Sequence, residues 1–263
     1  MDVIIFSGQS NMQGETEARP AAAPIEGAYE YVFRGNSLEP LCHPVGENLG
    51  CDETHHSRLL LGQAHCKRGS LVPAFCREYV KARGETAAIH AALGSTVIEQ
   101  WQPRRDRYNL LVEKCKAGIE LVSSSHTLGN IYFVWLQGES DGIIHTSKQS
   151  YLEQLICLKN ALKRDLGIKY FGIIKVGRFY SLDSGFKAPP LEERRRYEEA
   201  ILEAQEQAVK DDRDFLMLTR ITEKLTESPE YLNPFVPGHY NNAGMEILGK
   251  AAAEGLISQT QNQ

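Results

Sequence analysis

Short apolar, β-branched runs alternate along this chain with longer stretches in which apolar positions recur every three to four residues, the periods of buried strands and amphipathic helices. The first run, Val3-Ile4-Ile5-Phe6, stops at Ser7-Gly8, and Ser10 follows two residues after the glycine, which predicts a buried strand turning sharply into a helix. Residues 29–33 alternate as a half-exposed strand. From Ser37 to about Ser70 the periodicity disappears, predicting a long loop of the kind that carries function in compact domains. A helix begins at Pro73, with Phe75, Tyr79 and Val80 on one face and Gly84 just past its end. A buried strand over 87–93 and a helix from Asp106 follow, the helix burying Tyr108, Leu111, Val112, Cys115, Ile119 and Val122.

The run over 130–136 is the strongest strand of the chain. Thr146 and Gln149 predict a capping box for a helix reaching Leu166, with Gly167 beyond it. A strand over 170–176, a loop over 181–190, a charged helix over 192–210 with a thin stripe of Tyr197, Ile201 and Ala204, and a last strand over 214–218 complete the alternation. A loop holding Pro234, Pro237 and Gly238 then leads to His239, and Asn241 or Asn242 caps a final helix that turns Met245, Leu248, Ala252 and Leu256 inward.

Strand and helix exchange about five times, so the expected architecture is α/β: a three-layer α/β/α sandwich around a mostly parallel five-stranded sheet. With 263 residues and neither an internal repeat nor a linker, the whole chain, 1–263, reads as one domain. Ligands of such sheets bind beyond the carboxyl ends of the strands. Ser10, Gly94 and the pair Gln137 and Glu139 lie just past three different predicted strands, and His239 follows the last.

A net charge of −5 gives no broad electrostatic reason to bind nucleic acid or an anionic membrane. The first residues lack a secretory signal and no long apolar span follows, which predicts a soluble, cytoplasmic chain unless a leader was removed. The six cysteines, at 42, 51, 66, 76, 115 and 157, keep no regular spacing and read as reduced thiols. Cys42, His43, Cys51, His55, His56, His65 and Cys66 crowd the long loop, but with neither a Cys-x-x-Cys pair nor a His-x-x-x-His face they are a weak zinc signal, and no metal is expected.

The residues gathered at the sheet edge suffice for acyl transfer: a hydroxyl nucleophile, an imidazole to take its proton, donors for an oxyanion and a carboxylate to orient the base. Singly, each has an ordinary explanation. Ser10 alone would be a helix cap, Gly94 a turn, Glu139 and Asp141 a charged helix start, and His239 an exposed loop residue.

Together they resemble a family. Gly8-Gln9-Ser10-Asn11-Met12-x-Gly14 resembles the first block of the SGNH hydrolases, in the branch of sialate O-acetylesterases and the acetylxylan esterases of carbohydrate esterase family six. Gly94-Ser95-Thr96-Val97-Ile98 through Trp101 resembles the second block, Trp135-Leu136-Gln137-Gly138-Glu139-Ser140-Asp141 the third, and Gly238-His239-Tyr240-Asn241 through Gly244 the segment with the catalytic histidine. The resemblance implies a serine esterase that removes O-acetyl groups from a sugar or oligosaccharide through an acyl-enzyme, without metal or organic cofactor. Ser10 would be the nucleophile, His239 the base, and the N–H of Ser10, the N–H of Gly94 or Ser95 and the Gln137 amide the oxyanion donors. The same fold also allows an inactive glycan binder or a lipase or thioesterase.

Two positions depart from the pattern. Ser95 stands where the second block has a second glycine, and Val236 stands where an aspartate commonly precedes the histidine by three residues. Either Glu139, favoured because its block also carries the proposed donor Gln137, or a main-chain carbonyl must then orient His239.

Overall fold

The computed structural model describes residues 1–17, 22–43, 49, 69–178 and 191–261, less the side chains of Leu191 and Arg194. The first apolar run becomes strand β1 (Asp2–Gly8), every residue of which after Asp2 is buried. Six parallel strands, β1, β2 (Ala28–Val32), β4 (Thr86–Ala92), β5 (Ile131–Leu136), β6 (Tyr170–Ile174) and β7 (Phe215–Thr219), share one sheet with the antiparallel β3 (Ser37–Pro40). The order is β3-β2-β4-β1-β5-β6-β7, so the sheet has seven strands rather than the expected five.

Six of the seven are predicted one by one, 29–33 among them, so the count of five omits one of these, and the strand that the sequence hides is β3, inside the stretch expected to be loop. It is an edge strand with no buried residue, so nothing in it alternates between core and solvent, and Pro40 at its end is tolerated because an edge leaves backbone groups unpaired. The other parts of the chain expected to be irregular, at 18–24, 41–70 and 181–190, fall largely outside the described residues.

Eight α-helices are described: α1 (Ser10–Gln13), α2 (Val72–Arg83), α3 (Asp106–Ser125), α4 (Glu139–Ile143), α5 (Lys148–Leu166), α6 (Leu191–Asp211), α7 (Thr222–Thr226) and α8 (Asn242–Gln259). Alternate strand residues feed two cores. Val3, Ile5, Ile89, Phe133 and Phe171 pack under α3, α5 and α6, whereas Ile4, Phe6, Ala88, Val134 and Leu216 pack under α2 and α8. Because strands of the middle layer are buried on both faces, they read as continuous apolar runs. Helix α5 starts one residue later than its expected cap: Ser147 accepts from Ser150 N at 3.2 Å, and Thr146 is engaged elsewhere. No helix among the described residues is long and apolar enough to cross a membrane.

Register decides where chemistry can gather. Gly8 lies opposite Ala92 on one side and Leu136 on the other, so β4, β1 and β5 end at one level. The loops that leave these ends carry Ser10, Gly94 and Gln137, and β1 is the strand at which the winding of the sheet reverses.

Candidate active site

Strand β1 can turn so sharply because Gly8 has no side chain. With φ at 142°, a Cβ there would lie 2.0 Å from Leu136 O, a distance that only glycine avoids. Beyond it Gln9 N bonds Leu136 O at 3.0 Å and Leu93 N bonds Gly8 O at 2.9 Å, which stitches the three strand ends together. Met12 N and Gln13 N both donate to Gln9 O, closing a single helical turn. Gln9 occupies the cap position, so Ser10 is the first helical residue and not a cap. Its hydroxyl is half-buried and holds no hydrogen bond among the described residues.

His90 braces this turn from beneath. It is fully buried on β4, with Nε2 2.9 Å from Met12 O. A carbonyl only accepts, so Nε2 carries a proton. Burial, opposed by the Met12 bond and assisted by the charge of Lys114, pushes its pKa down to about 4. In the unfolded chain the same ring titrates near 6.5, so between these values the unfolded state binds the extra proton. Stability should therefore fall as pH drops from about 6.5 towards 4, by up to roughly 3 kcal/mol. The buried carboxyls of Glu139 and Asp141, raised by desolvation, oppose this trend. Denaturant titrations at several pH values should show a shallower acid loss in His90→Gln than in the wild type, and parallel curves would refute the assignment.

A buried polar bracket joins the second and third motifs. Gln9 Oε1 accepts from Gln137 Nε2 at 3.2 Å, Gly138 N at 3.4 Å and Ser140 N at 3.2 Å. Gln137 Nε2 also donates to Thr96 O at 2.9 Å and to Asp141 Oδ2 at 2.6 Å. Asp141 takes Ile98 N and the Thr146 hydroxyl, each at 2.9 Å, while Thr96 Oγ1 accepts from Trp101 Nε1 at 3.0 Å. Burial pushes the Asp141 carboxyl up, and the bonds from Gln137, Ile98 and Thr146 push it back down.

Two expected oxyanion donors are thereby occupied. Gln137 is completely buried and its amide is spent on Gln9, Thr96 and Asp141, so it supports the wall instead of facing a substrate. Gly94 N donates to Gln13 Oε1 at 2.7 Å. The N–H groups of Ser10 and Ser95 hold no acceptor among the described residues. Ser95 has φ at 59°, a left-handed conformation that explains why a glycine stands at this position in the resembling pattern.

His239 sits on a hairpin closed by a Leu232–Tyr240 bridge and by Asn233 N donating to His239 O at 2.8 Å. Asn233 Nδ2 ties this hairpin to Glu15 O at 2.7 Å. Asn11, next to Ser10 and fully buried, holds the other side: its Nδ2 donates to Gly238 O at 3.2 Å and to Glu139 Oε1 at 2.8 Å, and its Oδ1 accepts from Tyr240 N at 3.4 Å. The main chain on both flanks of His239 is thus pinned to α1. The imidazole Nδ1 is 3.0 Å from Pro237 O. Glu139 is buried, which raises its pKa, against the opposing bond from Asn11. Val236, at the position expected to hold an acid, is half-buried and gives its N–H to Asn233 Oδ1 at 3.2 Å.

Ser10, Glu139 and the His239 hairpin are therefore joined through Asn11, which sequence reasoning left unassigned although it stands in the first motif. Gln9, Gln13, His90 and Asn233 were equally missed. The one signal they offered was polarity in segments otherwise destined for burial. Of the Cys/His cluster only Cys42 and His43 are described, and Cys51, His55, His56, His65 and Cys66 lie outside. Among the described residues no group of three metal-ligating side chains occurs, and Cys42, Cys76, Cys115 and Cys157 are free thiols.

No curated protein matches the sequence. A protein from Arabidopsis thaliana shares the fold, with 16% identity, a TM-score of 0.67 and 98% of each chain covered. So does a carbohydrate acetylesterase from Xanthomonas citri, with 14% identity and a TM-score of 0.57, where all of this chain spans 57% of the other. The carbohydrate esterase family described as sialic acid-specific acetylesterase matches residues 1–257, a span that takes in the Ser10 turn, both motifs of the polar bracket and the His239 hairpin. The chain belongs to that family and is a carboxylic ester hydrolase.

Proposed function

We propose that this esterase removes O-acetyl groups from a carbohydrate, acetylated sialic acid or acetylated xylan and its oligosaccharides, through an acyl-Ser10 intermediate. The observation that carries this reading is the grip of Asn11, adjacent to Ser10, on the main chain at both sides of His239. Since Pro237 O accepts from Nδ1, the neutral ring leaves the lone pair on Nε2, the form a general base requires.

Ser10 Oγ attacks the acetyl carbonyl carbon as Nε2 of His239 takes its proton. The negative oxygen of the tetrahedral intermediate is received by the N–H groups of Ser10 and Ser95, which hold no acceptor among the described residues. Collapse breaks the ester C–O bond, and Nε2 returns the proton to the departing sugar oxygen. Water then attacks the acetyl-serine with His239 again as base, releasing acetate and restoring the hydroxyl. The imidazolium formed in each half is held by Pro237 O, and Glu139 acts on the hairpin through Asn11.

The test is acetate release from acetylated xylo-oligosaccharide and from O-acetylated sialic acid, with p-nitrophenyl acetate, butyrate and octanoate compared. Acetyl esters should be preferred, activity should fall on acidification as the base is protonated, and rapid quenching should trap acetyl on the Ser10 peptide. A preference for octanoate would identify a lipase or thioesterase instead, and absence of any turnover would identify a binding protein.

A further inference from the structure

We infer that Phe235 is a stacking platform for a pyranose ring of the substrate, an inference that rests on the carbohydrate acetylesterase reading above. The large apolar side chains that stand exposed among the described residues are Ile143, Ile144 and Phe235, at 59, 61 and 80%. All three lie within five residues of Glu139 or His239, on the segments that lead away from the proposed site. Single exposed apolar groups are ordinary on a surface, but here each stands on a segment that also carries a residue of the proposed site.

Phe235 is the most exposed of them and is held in place. Asn233, itself 5% exposed, accepts Phe235 N at 2.9 Å and Val236 N at 3.2 Å while its amide donates to Glu15 O at 2.7 Å. The bridge between Leu232 and Tyr240 closes the base of the same hairpin, which carries both Phe235 and His239. An aromatic ring presented on an anchored backbone loses little freedom when a ligand covers it. A pyranose offers a complementary partner, because one face carries C–H groups while its hydroxyls point outward to water. Covering the phenyl face removes apolar area from water without burying a hydroxyl.

The test compares the ratio of kcat/KM on acetylated xylo-oligosaccharide to that on ethyl acetate, a substrate too small to have a ring. Phe235→Ala should lower this ratio roughly tenfold, chiefly through KM on the oligosaccharide, and Phe235→Trp should hold it within about twofold. Calorimetric titration of acetylated xylo-oligosaccharide into Ser10→Ala and Ser10→Ala/Phe235→Ala should show the same roughly tenfold loss of affinity. If the wild type releases no acetate from the oligosaccharide, the acetylesterase reading fails by itself, and the titration still judges Phe235. An unchanged ratio and affinity, no binding to Ser10→Ala, equal losses in the Ala and Trp variants, or a change confined to oligomeric mass would overturn the platform.

Discussion

Ser10→Ala should lower kcat on acetyl esters by at least about a thousandfold while leaving the protein as stable as before, within roughly 1 kcal/mol. The asymmetry follows from what the hydroxyl does in the folded chain. Ser10 does not occupy the cap position, and its hydroxyl holds no bond among the described residues, so its loss breaks no structural interaction. The turn is retained by Gly8, by the bonds from Met12 N and Gln13 N to Gln9 O and by His90 beneath it. His239→Ala should lose activity to a similar degree, and the double variant should be little worse than either single one, because nucleophile and base act in one step. Kinetics and denaturant titrations of the four proteins check this. Activity in Ser10→Ala above a few per cent of wild type, or additive losses in the double variant, would remove Ser10 from the proposed mechanism.

Asn11→Ala is expected to be the most damaging change outside the nucleophile and base, costing roughly 2–4 kcal/mol of stability and at least about a hundredfold in kcat. It deletes a fully buried amide that bonds Glu139, Gly238 O and Tyr240 N at once, so that a buried carboxyl and two main-chain groups each lose a bond. The catalytic loss arises because the flanks of His239 are then no longer tied to α1. Glu139→Gln discriminates between the two ways of orienting the base. Its Oε1 would still accept from Asn11, so with Pro237 O holding Nδ1 the loss in kcat should stay within about tenfold, far from the ~10⁴ that follows neutralisation of an acid paired to a catalytic histidine. A loss of several orders of magnitude in Glu139→Gln, with Asn11→Ala mild, would assign the orienting role to the carboxylate.

How much of this was legible in the residues follows from what each feature depends on. The strands β1 and β4 to β7 came within two residues of their observed ends, because a strand buried on both faces must be an uninterrupted apolar run. The Ser10 turn was equally legible, since a glycine and a short polar string must follow when such a run stops. The edge strand β3 was not, because a strand that buries nothing imposes no pattern on its side chains. The sequence by itself thus determined the layered fold, the sheet edge at which Ser10, Glu139 and His239 could be gathered, and the family motifs that name them.

Only the tertiary structure decided how donors and acceptors are shared there. Gln137 and Gly94 are sound oxyanion donors as residue types, but the first is spent on Gln9, Thr96 and Asp141 and the second on Gln13, partners up to 128 positions away in sequence. The same competition put Pro237 O on His239 Nδ1 and Asn11 on Glu139. Hydrogen-bonding capacity belongs to a residue and can be read from its name. Its allocation depends on which other groups are buried beside it, and a buried polar group takes whichever partner the packing brings within about 3 Å.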